Sequence, residues 1–409
     1  MPRVLLLLPT ATYRAGDFLR AASALGVEVV IGSEEAQALA GSMGDRALTV
    51  PLDRPEEAAD AVVERARRHP LDAVVAVDDQ GVVVAALVAA RLGWAHNPPD
   101  AVAATRDKAS MRARLAAAGV AQPAFRVAGP GADLGRLATE VGLPCVVKPV
   151  SLSGSRGVIR ADDPAGAVAA GDRVRAILAD AGEGRDASLL VEAYVPGVEV
   201  AVEGLLGRGR LEVLALFDKP DPLEGPYFEE TIYVTPSRLA PEAQAAVVAA
   251  AAAAAAALGV VEGPVHAEVR LAGSEAVVLE LAARSIGGLC SRALRFGAGV
   301  SLEELILRHA LGLPLDGLAR EPAASGVMMI PIPATGVLED VRGVDAARAV
   351  PGVVGAEITI TRGRLVRALP EGDRYLGFLF ARGETPEEVE GALRDAHARL
   401  EVVVVDPDR

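Results

Sequence analysis

The sequence predicts a chain that mixes α/β and α+β domains. Three observations carry that prediction. Short apolar runs alternate with helical stretches through roughly the first hundred residues. Closely spaced strands, with one Ala-rich helix among them, fill residues 188–316. Strands followed by a helix occupy residues 324–405. At 409 residues the chain has room for two or three domains with their own cores.

The elements follow in order. Residues 4–8 read as a buried strand, followed by a helix near 17–25 and a strand over 27–31. A helix near 55–68, a strand over 73–77 and a helix over 82–92 complete the unit. This βαβ rhythm means a parallel sheet covered by helices. Asp78-Asp79 fall just after a strand end, where open α/β sheets place ligands. No G-x-G-x-x-G follows the first strand, which disfavours a dinucleotide site. Asn97-Pro98-Pro99 punctuates the end of the unit, and the first domain is placed at residues 1–104.

Residues 105–187 form the second unit. It has a helix around 108–118, a strand near 124–127, a helix around 134–141, a strand over 145–148, a Gly/Ser loop and a helix near 165–181. The polar segment 182–186 reads as a hinge or turn. The third unit, 188–320, holds strands over 189–192, 198–206, 211–217, 265–271 and 276–281. Its Ala-rich run at 245–258 is too short to span a bilayer and reads as a packed helix. A small α+β module, 321–409, has strands near 326–332, 356–361 and 376–382 and a helix over 386–400.

Composition excludes several functions. The net charge is −14, and no basic stripe with interleaved aromatics occurs, so no nucleic-acid partner is expected. The two cysteines, Cys145 and Cys290, make neither a disulfide framework nor a metal-spaced cluster and read as buried thiols. The apolar run at 4–8 is too short for a signal-peptide core. A cytoplasmic protein without a membrane partner is expected.

Only three of the 41 basic residues are lysine: Lys108, Lys148 and Lys219. Where arginine serves for most positive charge, a retained lysine suggests a need for a compact, flexible ammonium, such as contact with phosphate. Compositional bias with three neutral remnants is the alternative.

Four motifs carry chemistry. Lys148 ends a strand and precedes the loop "SLSGSRGV", whose backbone N–H groups could close on phosphate oxygens. An ordinary Ser/Gly turn fits the same residues. "HAEVRL" and "VVLELAAR" put Glu268 and Glu280 on two strands of a hairpin, within reach of one cation. Carboxylate oxygens suit Mg2+, and Arg284 lies four residues beyond Glu280, where it could hold an anion. In "LLVEAYVPGVEVAVEG", a segment after Glu192 could offer backbone groups to an adenine edge, with Glu199 reaching a ribose; a plain hairpin fits as well. Finally, Lys219 stands at the base of a proline-punctuated stretch, 220–237, that reads as a long loop and a candidate lid. There Glu229 and Glu230 could meet a substrate amine.

Together these motifs resemble the ATP-grasp superfamily over residues 1–316, and within it the L-amino-acid ligases. The narrower likeness lies in "FDKPDPLEGPYFEETIYVTPS" and "GPVHAEVRL". The resemblance implies a pre-grasp α/β domain, a two-lobed grasp (105–187 and 188–320) and a small C-terminal α+β module. It implies that Lys108 and Lys148 contact ATP phosphates, that Ser153, Gly154 and Ser155 cover them, and that Lys219 acts from the lid. Glu192, Ala193 and Val195 would face adenine and Glu199 the ribose. Glu268 and Glu280 would bind Mg2+, as two ions, with Mn2+ as a substitute. Arg284 would steady an acyl phosphate as a catalytic residue alongside Lys219. Glu230, with His266 nearby, would meet the substrate amino group.

The implied activity joins a small-molecule carboxylate to an amine at the expense of ATP; a homodimer is compatible with it. One departure stands out. Many members have Asn two residues after the second metal Glu, where this chain has Ala282. A biotin-carboxylase-like carboxylase and a non-catalytic ATP-binding regulator remain as alternatives.

Overall fold

A computed structural model of the protein describes residues 1–37, 40–297 and 299–406. Strands β1 (Arg3–Leu7), β2 (Glu28–Ser33), β3 (Ala47–Thr49) and β4 (Ala73–Ala76) form a parallel sheet in the order β3-β2-β1-β4. Leu5 and Leu7 face one core and Leu6 the opposite one, as expected where helices cover both faces. Asp78 and Asp79 lie beyond the end of β4, at the predicted ligand edge.

The second sheet contains β5 (Phe125–Ala128), β6 (Cys145–Pro149), β7 (Ile159–Ala161) and β8 (Leu189–Ala193), in the order β5-β8-β6-β7. Here the expected division changes. Strand β8 was assigned to the large lobe, yet it lies between β5 and β6 in the small-lobe sheet.

The third sheet is the largest. Its strands are β9 (Val198–Gly207), β10 (Arg210–Asp218), β11 (Ile232–Thr235), β12 (Gly263–Ala272), β13 (Glu275–Ala282), β14 (Ala324–Ile330), β16 (Val353–Ile358) and β18 (Gly377–Gly383). They run in the order β13-β12-β9-β10-β11-β14-β18-β16. Three strands of the C-terminal module thus extend the large-lobe sheet. The remaining strands, β15 (Gly336–Arg342), β17 (Leu365–Val366) and β19 (Glu401–Val405), make a small separate sheet. Strand β11 lies inside the stretch expected to be all loop. Its Ile-Tyr-Val-Thr sequence favours a strand, and β10 and β14 flank it.

The Ala-rich helix spans Pro241–Leu258, longer than expected. By length and composition it could cross a membrane. Val247, Ala251, Ala254, Ala255 and Leu258 bury one of its faces in a core shared with β12 and β13.

The period of two along β9 and β12 positions the site. Val200 and Val202 of β9, with Val265, Ala267, Val269 and Leu271 of β12, face that helix core. The alternate residues face the other way: His266 opposes Glu203, Glu268 opposes Ala201, and Arg270 opposes Glu199. This polar face floors a cavity of about 630 Å³ lined by the pre-grasp domain, both lobes and the C-terminal module.

Candidate active site

Glu268 and Glu280 are direct cross-strand partners on β12 and β13. The hairpin turns through Gly273, whose φ of 66° suits a tight two-residue connection. A bulge after Glu268 brings Leu279 to the cavity beside Glu280. The two carboxylates have different neighbours. Glu268 Oε1 lies 3.4 Å from Lys219 Nζ and 3.9 Å from His266 Nε2. Glu280 Oε1 lies 3.4 Å from Lys108 Nζ. Burial would raise the Glu268 pKa, but Lys219 and His266 hold it well below the usual carboxylate range. The donors are hard oxygens on one sheet face, which fits Mg2+. Ala282 lines the cavity in the same row and supplies no donor.

A second acidic group, Glu199, Glu230 and Glu268, also has carboxylate oxygens close together. Lys219 fills it. Its Nζ pairs with Glu199 Oε1 at 2.6 Å, with Glu230 and with Glu268. Burial disfavours the ammonium, but the three glutamates outweigh it and hold Lys219 protonated far above its ordinary range. The expected lid lysine is therefore a buried cation at the end of β10, 5% exposed, beneath the cavity floor.

Glu230 is also engaged. Besides Lys219 it accepts hydrogen bonds from Tyr233 Oη at 2.8 Å and Tyr375 Oη at 3.5 Å. Tyr375 comes from the C-terminal module, a wall the sequence reading left out. His266 lines the cavity but bonds Glu203 through Nδ1 at 3.2 Å. Burial would lower its pKa, yet hydrogen bonds to Glu203 and Glu268 push it up to about 9. As an imidazolium it would repel an ammonium and suit an anionic group instead.

The small lobe supplies Lys148 and Glu192. Lys148 opposes Leu190, and Val146 opposes Glu192, so all four share one face. Lys148 Nζ meets Glu192 Oε2 at 2.6 Å. Burial lowers the Lys148 pKa against the pull of Glu192. Burial would raise Glu192, but Arg112 and Lys148 hold it down at about 2. Arg112 also donates to Leu279 O at 2.6 Å, bridging the small lobe to β13. The Glu192 carboxylate is thus committed to cations. Ala193 and Val195 line the cavity.

Lys108 opens the helix Lys108–Ala117, capped by Asp107, whose carboxylate accepts from Ser110 N. Its backbone N–H donates to Val150 O, and its Nζ to Leu152 O at 2.8 Å, beside the Gly/Ser loop. In that loop Gly154 and Ser155 have φ of 66° and 56°. The left-handed serine is an uncommon conformation and marks strain. Ser153, Gly154 and Ser155 all line the cavity.

Glu199 carries a pair that spacing alone did not reveal. Arg270 Nε donates to Glu199 Oε2 at 2.8 Å, and the same side chain donates to Val195 O at 2.7 Å. Its guanidinium lies over Tyr194 and Phe228, whose rings stack at 6.3 Å. Val146, Val158, Leu223 and Phe228 form an apolar wall beside it. Gly197 permits the turn before Glu199, since a Cβ there would stand 1.9 Å from Leu271 O. Arg284 pairs with Asp79 and also lines the cavity.

Comparison with known proteins places most of the chain in known families. Residues 19–94 match the family model of the ATP-grasp N-terminal domain, residues 141–293 that of the ATP-grasp domain, and residues 328–405 that of the L-amino acid ligase C-terminal domain 2. Alanine–anticapsin ligase of Bacillus subtilis is 27% identical over 273 residues, covering 62% of this chain and 57% of the relative. Carnosine synthase 1 of Gallus gallus is 30% identical over 276 residues, covering 64% of this chain and 30% of the relative. The chain thus spans little more than half of the first relative and under a third of the second. The crystal structure of L-amino acid ligase from Bacillus licheniformis superposes with a TM-score of 0.84 at 26% identity, covering 99% of each chain. The chain belongs to the ATP-grasp superfamily, and its C-terminal module is of the L-amino acid ligase kind.

Proposed function

We propose that the protein is an ATP-dependent ligase that joins a carboxylate to an amine. The observation that carries the reading is the register pair Glu268–Glu280, set in one cavity with Lys108, Lys148 and Arg284. A carboxylate oxygen of the first substrate attacks the terminal phosphorus of ATP, and ADP leaves. The amine then attacks the acyl carbon, loses a proton and expels orthophosphate, leaving an amide or dipeptide.

Phosphoryl transfer asks the protein mainly for positioning and charge. Lys108 and Lys148 hold phosphate oxygens, and residues 153–155 cover them. The apolar wall and the backbone of Ala193 and Val195 receive adenine, and Glu199 receives the ribose. Glu268 and Glu280 would hold Mg2+, as two ions, with Mn2+ as a substitute. The metal supplies neutralisation of phosphate charge when bound. Arg284 steadies the acyl phosphate. Lys219 acts from below by fixing Glu199, Glu230 and Glu268, and Glu230 receives the substrate amino group through the oxygen nearer Tyr375. The two buried cysteines, neither of them in a disulfide, suit a cytoplasmic setting.

Ala282 supports a second reading, an ATP-binding regulator without turnover. Phosphate release from Mg-ATP separates the two across amino acids offered singly and in pairs. Release that needs both a carboxylate and an amine supports ligation. Release with bicarbonate and no amine points to a carboxylase instead. Silence across all panels, with ATP still bound, supports the regulator.

A further inference from the structure

Most cations expected to meet the nucleotide already have partners within the protein. Lys148 pairs with Glu192, Lys108 with Glu280, Lys219 with three glutamates and Arg284 with Asp79. Two other arginines of the cavity wall, Arg156 and Arg367, are less committed. Arg156 closes the Gly/Ser loop. Among the described residues it reaches only Asp180, at 3.9 Å, and its Nε is buried without a hydrogen-bond partner. Arg367 follows β17 in the C-terminal module and meets the same Asp180. A single carboxylate, 52% exposed, therefore serves two guanidinium groups from different parts of the chain.

The loop carrying Arg367 is fastened to the Gly/Ser loop. Gly157 N donates to Pro370 O at 2.9 Å. Arg173 of the small lobe grips Glu371 through two bonds, at 2.7 and 3.0 Å. Leu369, Gly372 and Arg374 of this segment also line the cavity. Arg367 is thus fixed relative to Ser153, Gly154 and Ser155.

We propose that Arg156 and Arg367 together bind the terminal phosphoryl group of the nucleoside triphosphate, so that the C-terminal module completes the nucleotide site. This rests on the ATP reading above. Planar guanidinium groups present paired donors to phosphate oxygens, and the terminal phosphoryl group brings both the added oxygens and the added negative charge that distinguish a triphosphate from a diphosphate. Asp180 keeps them in place until the nucleotide enters and, being half exposed, is readily released to water.

Calorimetric titration of the full chain with Mg-ADP and with a Mg-bound non-hydrolysable ATP analogue tests this. Arg367→Gln and Arg156→Gln should each weaken the analogue about tenfold or more while ADP affinity stays within about twofold of wild type. Asp180→Asn breaks the resting pairs but keeps both arginines, so the analogue should bind at least as tightly as to wild type. The proposal is overturned by unchanged analogue affinity in both arginine variants, or by equal losses for ADP and the analogue. It is also overturned if Asp180→Asn matches the arginine losses, because the arginines would then be tethers only. Wild-type protein that binds neither nucleotide would refute the ATP reading itself, and this proposal with it.

Discussion

Arg284 and Asp79 face each other through two contacts, Nε to Oδ1 at 2.8 Å and a terminal nitrogen to Oδ2 at 2.9 Å. The pair joins the end of the metal-site hairpin to the pre-grasp domain. Arg106 reaches the same carboxylate at 3.4 Å. Burial would raise the Asp79 pKa, but Arg284 and Arg106 hold it far below the usual carboxylate range. The other terminal nitrogen of Arg284 donates to Ser285 O at 3.0 Å, so Arg284 is held in orientation at the cavity edge.

Arg284→Gln should lower ATP-dependent phosphate release by about a hundredfold or more, the scale of losing a preorganised donor to developing charge. Nucleotide binding should stay near wild type, because Lys108 and Lys148 remain. Steady-state kinetics and titration with ATP check both halves. Loss of binding at unchanged turnover would contradict the assignment.

Lys148→Arg should already impair the protein. Lys148 is enclosed by Glu192 at 2.6 Å, and Arg112 lies on the other oxygen of the same carboxylate. A planar fork does not fit where a point charge is held against a phosphate. ATP affinity is expected to fall about tenfold, measured by titration. Wild-type affinity would return Lys148 to a compositional remnant.

The His266–Glu203 contact predicts a stability profile. The folded value of about 9 lies above that of an unfolded histidine. Its stabilisation is therefore fully present below about pH 6.5 and is lost as the pH rises through about 9. Denaturant midpoints should fall across that window, by on the order of 2 kcal/mol in stability. Glu203→Gln should flatten the fall, since it removes the main partner of the imidazolium. A wild-type midpoint that holds steady from pH 6 to about 9 would contradict the assigned charge state.

Ala282→Asn tests the missing donor. Ala282 lies on the same face of β13 as Glu280, opposite His266. An amide oxygen there should lower the Mg2+ concentration for half-maximal turnover by about threefold or more. An unchanged Mg2+ requirement would show that the position does not face the ion.

Local pattern made much of this legible. A Gly-turned hairpin puts Glu268 and Glu280 on neighbouring strands by sequence alone, but the bulge after Glu268 that makes them direct partners leaves no local signal. The arginine bias singled out three lysines, and all three sit at or under one cavity. Pairing between distant segments was not legible. Nothing in residues 189–193 indicates that β8 inserts between β5 and β6, because register partners far apart leave no local period. For the same reason β14, β16 and β18 read as a separate module although they extend the large sheet. Arg112, Arg270 and Arg367 were hidden by the very bias that exposed the lysines. With so many arginines, none marks itself out by type alone, and only the structure sets Arg270 against Glu199 and Arg112 against Glu192. The three glutamates around Lys219 come from the start of β9 (Glu199), the loop before β11 (Glu230) and the middle of β12 (Glu268), a meeting that spacing does not encode.

The most direct test of the central claim is orthophosphate release from Mg-ATP by wild-type protein and by Glu280→Gln, with paired amino acids as substrates. The account predicts release that requires both a carboxylate and an amine, with an amide product in equal amount, and near-complete loss in Glu280→Gln. Release without any amine, or full activity in Glu280→Gln, would contradict it.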